Sequence, residues 1–142
     1  MKHIQKAIAL FGLSLLLTAS SVFAQSGSHH VVIPFSFVVA DKTLPAGEYV
    51  IRKIRKDSDT TWVIEPKGKG ASVVLLTRST QSNDTKEKST IVFNRYDDVY
   101  FMSTFWTAGY NTGRAIQISD RERGMDKALA MREEVTITER GR

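Results

Sequence analysis

From Val31 onward the apolar residues of this chain recur at every second position, and that period confines it to a β fold. Val31, Ile33, Phe35, Phe37 and Val39 fall on one face of an extended segment, with Val32, Pro34, Ser36 and Val38 on the other. Pro34 has no N–H to give to a ladder, so this strand is expected at an edge, pairing late, or bulged at the proline. Runs rich in β-branched and aromatic residues follow at 48–54, 60–65 (with Trp62 and Ile64 on one side) and 71–78. Turn-forming residues separate them: the Asp41 to Gly47 connection, Asp57-Ser-Asp59, and Pro66-Lys-Gly-Lys-Gly70. Residues 79–88 form a long polar connection.

The clearest hairpin joins 89–96 to 99–106 across Asp97-Asp98, two residues of turn type that suggest a tight loop, with a longer loop left open by the lack of glycine. Both phases of its alternation carry aromatics, which predicts a central hairpin covered on both faces. A glycine-framed loop at 108–113 leads to a shorter candidate strand at 114–118. The pattern then changes. Ser119 with Glu122 three residues later fits a capping box, and the charged, proline-free stretch that follows predicts a helix near 120–134. Its apolar stripe is narrow, made by Met125, Ala128 and Leu129 beside Arg132. Residues 135–138 alternate again and make a last candidate strand. Six strands and two shorter candidates, with turns about every 8 to 12 residues, predict a mainly all-β fold. The expected form is an antiparallel, strongly bent sheet, barrel-like or a sandwich, with one C-terminal helix.

The start of the chain reads as an export signal. Lys2 and Lys6 precede an uncharged apolar run at 7–18, and Val22 and Ala24 stand at −3 and −1 to a cut before Gln25. A membrane anchor is the alternative for the uncharged stretch 7–28, but strong hydrophobicity ends near Leu17 and Ser, Thr and Gln follow. The expected organisation is a signal peptide at 1–24, a polar leader at 25–30 and one β-rich domain at 31–142. The product is expected in the periplasm or outside the cell, with no membrane span after cleavage. Losing Lys2 and Lys6 takes the net charge from +5 to +3 on the remaining 118 of 142 residues, too little to mark a nucleic-acid binder. The chain has no cysteine, so disulfides, thiolate metal sites and a cysteine nucleophile are excluded.

Catalytic constellations are missing from the sequence. His29 and His30 are the histidines that remain after cleavage; as neighbours they point to opposite faces, and the leader places them outside the fold, so no metal site is expected. No histidine is expected in the folded region to serve a serine or threonine. Asp97-Asp98 reads as a hairpin tip rather than a carboxylate pair across a cleft. Lys67-Gly-Lys-Gly70 lacks the Gly-Lys-Ser/Thr of a phosphate loop, and no helix follows it. The chain is therefore expected not to be an enzyme and to need no cofactor. The candidate binding residues are Trp106, Tyr110, Asn111 and Arg114, where the aromatic-rich hairpin runs into the loop at 108–113. Aromatic faces beside amide and guanidinium donors at a sheet rim suit a sugar or a protein partner.

Three stretches carry a resemblance. Ile33-Pro-Phe-Ser-Phe-Val-Val-Ala-Asp-Lys-Thr-Leu-Pro-Ala-Gly-Glu-Tyr49 resembles the opening of short, uncharacterised exported β-rich proteins of soil bacteria. Phe93-Asn-Arg-Tyr-Asp-Asp-Val-Tyr-Phe-Met-Ser-Thr-Phe-Trp-Thr-Ala-Gly109, and the charged Asp120 to Arg123 segment after Gly113-Arg114, match the same group. The resemblance implies export and a β-rich fold; no activity is known for the group. Separately, Leu44-Pro-Ala-Gly-Glu-Tyr49 is similar to the turn-into-strand of immunoglobulin-like adhesin repeats. The function expected is an exported, non-enzymatic binding or structural module of the bacterial cell envelope or extracellular space. Its partner would be an envelope protein, glycan or lipid component. The alternative is a carrier holding a small apolar ligand in a barrel-like calyx.

Overall fold

The computed structural model describes residues 27–129 and 132–139. The expected signal peptide, Gln25 and Ser26 of the leader, and residues 130, 131 and 140–142 lie outside them.

Strand β1 (Ser28–Ile33) starts three residues earlier than the sequence predicts and ends at Pro34, so the expected single strand is two. Its second half returns as β2 (Phe37–Val39), which turns back into β3 (Lys42–Leu44) through Ala40 and Asp41, both at positive φ (47° and 64°). Next come β4 (Gly47–Lys53), β5 (Thr61–Pro66) and β6 (Val73–Gln81), then β7 (Thr90–Tyr96), β8 (Val99–Trp106) and β9 (Thr112–Ile116). Helix α1 (Asp120–Leu129) and β10 (Glu133–Thr138) complete the described residues. The predicted helix is therefore too long: β10 begins inside the last residues assigned to it. Likewise Ser79 to Gln81 belong to β6, and the rest of the expected connection at 79–88 is tied down. Ser82 N–H donates to Asn111 O at 2.8 Å and Lys86 N–H to Tyr110 O at 3.1 Å.

The strands form one mixed sheet, not a purely antiparallel one, because Val38 of β2 pairs parallel to Phe101 of β8. The main path runs β1-β4-β5-β6-β9-β8, and β8 also carries β7, which carries β10. The stagger at β6 bends it. Val73 to Leu76 pair with β5, while Thr77 to Gln81 pair with β9, so each neighbour covers half of β6. The curl brings Ile51, Ile64 and Leu75 from one half against Phe93, Met102 and Phe105 from the other. The sheet is not closed, since β1 and β10 each pair on one side, with β4 and β7. No helix among the described residues is long and apolar enough to cross a membrane.

The β7–β8 hairpin begins one residue later than predicted, at Thr90, and has the two-residue Asp97-Asp98 loop. Its register shifts, however. Val92 faces Thr104 but Phe93 faces Met102, which leaves Ser103 as an extra residue in β8. This bulge changes the phase of β8, so Met102 and Phe105, three apart, both reach the interior. The opposite face of the hairpin carries a second cluster of Val38, Tyr96 and Phe101, packed against Met125 of α1. There Ser119 caps the helix by accepting the Glu122 N–H at 3.1 Å. The reciprocal half of the expected capping box is replaced: the Glu122 carboxylate, 4% exposed, accepts from Asn94 Nδ2 at 2.7 Å. Burial pushes the Glu122 carboxyl above its ordinary value.

The Leu44–Tyr49 segment makes a corner. Tyr49 is buried, and its hydroxyl donates to Pro45 O at 2.6 Å, fastening the approach to β4 to the strand itself. Tyr49→Phe keeps the packing and removes that bond, so it is expected to cost about 1 kcal/mol in urea denaturation with an unchanged m-value. An unchanged midpoint would show that the corner holds without the hydroxyl.

Candidate functional site

At one end of the bent sheet a cleft of about 300 Å³ lies between β1, β4, β5, β8 and β9. Its floor is aromatic. Trp62 of β5 meets Phe105 of β8 edge to face (4.9 Å, 72°), and the His29 ring stacks on Trp62 at 6.1 Å. Its wall is charged. Lys53, at the end of β4, and Arg114, in β9, both bind the Asp59 carboxylate, Arg114 Nη2 at 2.9 Å from Oδ2. Lys53 Nζ also stands over the Trp62 ring, 5.6 Å from its centroid. Lys53 first, and Arg114 behind it, hold the Asp59 carboxyl below its ordinary value. Thr107 and Thr112 add hydroxyls, and Tyr110 stands at the mouth, 62% exposed.

Local structure explains why these groups meet. The Asp57–Thr60 turn folds over the sheet end because its backbone is bonded to the strands: Trp62 Nε1 donates to Asp59 O at 3.0 Å, and Thr77 Oγ1 to the same oxygen at 3.2 Å. Tyr110 is presented by a turn in which its N–H donates to Thr107 O at 3.3 Å with Gly109 at φ 83°. A positive φ at the third position is what a type II turn demands and glycine supplies.

The four residues singled out from the sequence do not form one site. Arg114 faces Phe105 across the β8–β9 pair, so it points with Phe105 toward the cleft, and Tyr110 joins it there. Trp106 faces Gly113 in the same ladder, one residue on and on the opposite side of the sheet. Its ring lies across Gly113, and Lys86 Nζ stands 5.2 Å from its centroid. Gly113 and Lys86 are thus both packed against the ring. Asn111 holds the loop instead of lining the cleft, its carbonyl accepting from Ser82 and its Oδ1 from Thr112 Oγ1 at 3.5 Å.

The sequence reading missed Lys53, Asp59 and His29. Lys53 and Asp59 looked like a strand end and a polar turn, and nothing in their spacing shows that Arg114 joins them. His29 did leave a signal, since it continues the Val31–Ile33 phase by one more step. The structure corrects its placement in a leader outside the fold: it is buried within β1, while His30 is exposed on the other side. Its Nε2 lies 3.2 Å from Thr107 Oγ1. Among the described residues no carboxylate hydrogen-bonds the ring to orient it as a base, and no cluster of three metal-ligating side chains occurs.

Burial holds the His29 pKa below its ordinary 6.5, against the charge of Glu139, which raises it. As pH falls through 6.5 the unfolded chain takes up a proton that the folded ring resists, so stability is lost toward the depressed folded value. His29→Phe removes that dependence. Thermal unfolding at pH 7 and pH 5 is expected to show the wild type losing more than the variant, and equal losses would contradict a depressed His29.

No protein-family model matches the chain, and neither does any curated protein or solved structure. The cleft has to be interpreted from its own chemistry.

Proposed function

We propose that this chain is an exported, non-enzymatic binding module of the bacterial cell envelope or extracellular space, with the cleft below Tyr110 as its ligand site. One observation carries the reading: cations from two separate strands, Lys53 and Arg114, converge with Tyr110 and two threonine hydroxyls above an aromatic floor in one concavity. A few convergent polar groups on an apolar base are the general form of a small-molecule site, and about 300 Å³ is the lower end of its size range. Export rests on the signal-like pattern of residues 1–24. The carrier reading has less support, because Ile33, Ile51, Ile64, Leu75 and Phe93 fill the interior that an apolar ligand would need.

The test is an array of envelope and extracellular glycans probed with the wild type, Tyr110→Ala and Arg114→Ala. A charge-assisted contact is worth about 1.5–3 kcal/mol, so Arg114→Ala is expected to weaken binding about tenfold or more. Tyr110→Ala, at an exposed position, is expected to weaken binding without changing the melting temperature. Binding that survives both substitutions would place the ligand elsewhere.

A further inference from the structure

The Asp59 carboxylate has an unusual position. The turn that carries it is already fastened through its backbone, since Asp59 O accepts from both Trp62 Nε1 and Thr77 Oγ1. The carboxylate itself is half-exposed, yet it occupies the one place where Lys53 and Arg114 both reach a single anion. A carboxylate whose turn is also held through its backbone, set between two cations inside a ligand-sized cleft, stands where a ligand's carboxylate would sit.

We infer that the ligand is an acidic saccharide, whose uronate carboxylate displaces Asp59 from Lys53 and Arg114 while its ring packs on Tyr110. This inference rests on the cleft being the ligand site and adds the ligand's chemical class. With Asp59 swung out to solvent, Lys53 and Arg114 face the ligand as two positive charges, which a neutral sugar cannot use. Asp59 is itself half-exposed and regains water as it leaves, which offsets part of the cost of opening its pairs, so the internal carboxylate acts as a competitor. The Arg114 side chain is 18% exposed, so a carboxylate held there is shielded more than one on the open surface. The planar guanidinium suits a carboxylate, whose two oxygens it can engage together.

The experiment is calorimetric titration of the full protein with trigalacturonate and with neutral galactotriose, for the wild type, Asp59→Asn, Arg114→Ala and Tyr110→Ala. The wild type is expected to bind the acid and not the neutral sugar, more weakly as salt rises. Asp59→Asn, which keeps both backbone bonds of the turn, is expected to bind the acid at least about two- to fivefold more tightly, the worth of a pair exposed on its carboxylate side. Arg114→Ala is expected to lose about tenfold. Equal or weaker binding by Asp59→Asn would overturn the displacement. Binding of galactotriose that depends on Tyr110 and Arg114 would overturn the acidic class while leaving the cleft as the ligand site. Absence of binding to either sugar would overturn the inference, and the glycan array decides separately whether the cleft reading falls with it.

Discussion

Replacing Phe93 with alanine is expected to lower the unfolding free energy by about 3–5 kcal/mol, the range for emptying a fully buried aromatic position. Phe93 is completely buried in β7 and meets Phe35 and Phe37 edge to face, at 5.1 Å and 5.6 Å between centroids. It joins the two halves of the bent sheet, because Phe37 in turn meets Tyr49 of β4 edge to face at 5.3 Å. Phe37 and Tyr49, held in their ladders, cannot collapse far into the gap. Leu76→Ala is the control: the side chain is 59% exposed, and its loss is expected to change stability by no more than about 0.5 kcal/mol. Comparable shifts of the urea midpoint in the two variants would contradict the assignment of the core.

A single methyl group at Gly113 is expected to destabilise the fold by about 1–3 kcal/mol, the cost of overpacking. A Cβ there would stand 2.6 Å from Trp106 Cε3 and 2.7 Å from Cδ2, so the indole would have to leave the strand surface and its contact with Lys86. The same change at Gly124 should have the opposite sign. That glycine lies in α1 with nothing within 4 Å of a Cβ, and alanine favours a helix interior by about 0.5–1 kcal/mol. Melting temperatures that fall for Gly113→Ala and rise for Gly124→Ala bear out both environments. A fall in both would show α1 packed more tightly than the structure has it.

Much of the fold was legible where pattern and geometry are local. The β7–β8 hairpin, its tight loop, the Trp62–Ile64 face and the Ser119 cap all follow from residues close in sequence. The Ser103 bulge was hidden because both phases of β8 carry aromatics, so a change of phase leaves no mark on the alternation. The end of α1 was hidden because β10 opens on Glu133 and Glu134, residues that also suit a helix. The curl of the sheet depends on which half of β6 each neighbour covers, and no run of residues encodes that.

The candidate site was half legible for the same reason. Tyr110 and Arg114 were within reach, since the glycine loop and the adjoining strand mark a rim. Trp106 was assigned to it by proximity in sequence, but the alternation of a strand sends it to the far side, over Gly113. Lys53 and Asp59 come from a separate hairpin more than fifty residues before Arg114, and only the folded sheet unites them.

The chain contains two tryptophans, Trp62 in the floor of the cleft and Trp106 on the opposite side of the sheet, which gives a direct measurement. The two indole N–H resonances of the ¹⁵N-labelled protein, assigned with Trp106→Phe, are followed while a pool of acidic and neutral oligosaccharides is added. If the cleft is the ligand site, the Trp62 resonance shifts and saturates while the Trp106 resonance stays in place. A shift of Trp106 with Trp62 unmoved, or no shift in either, would contradict it.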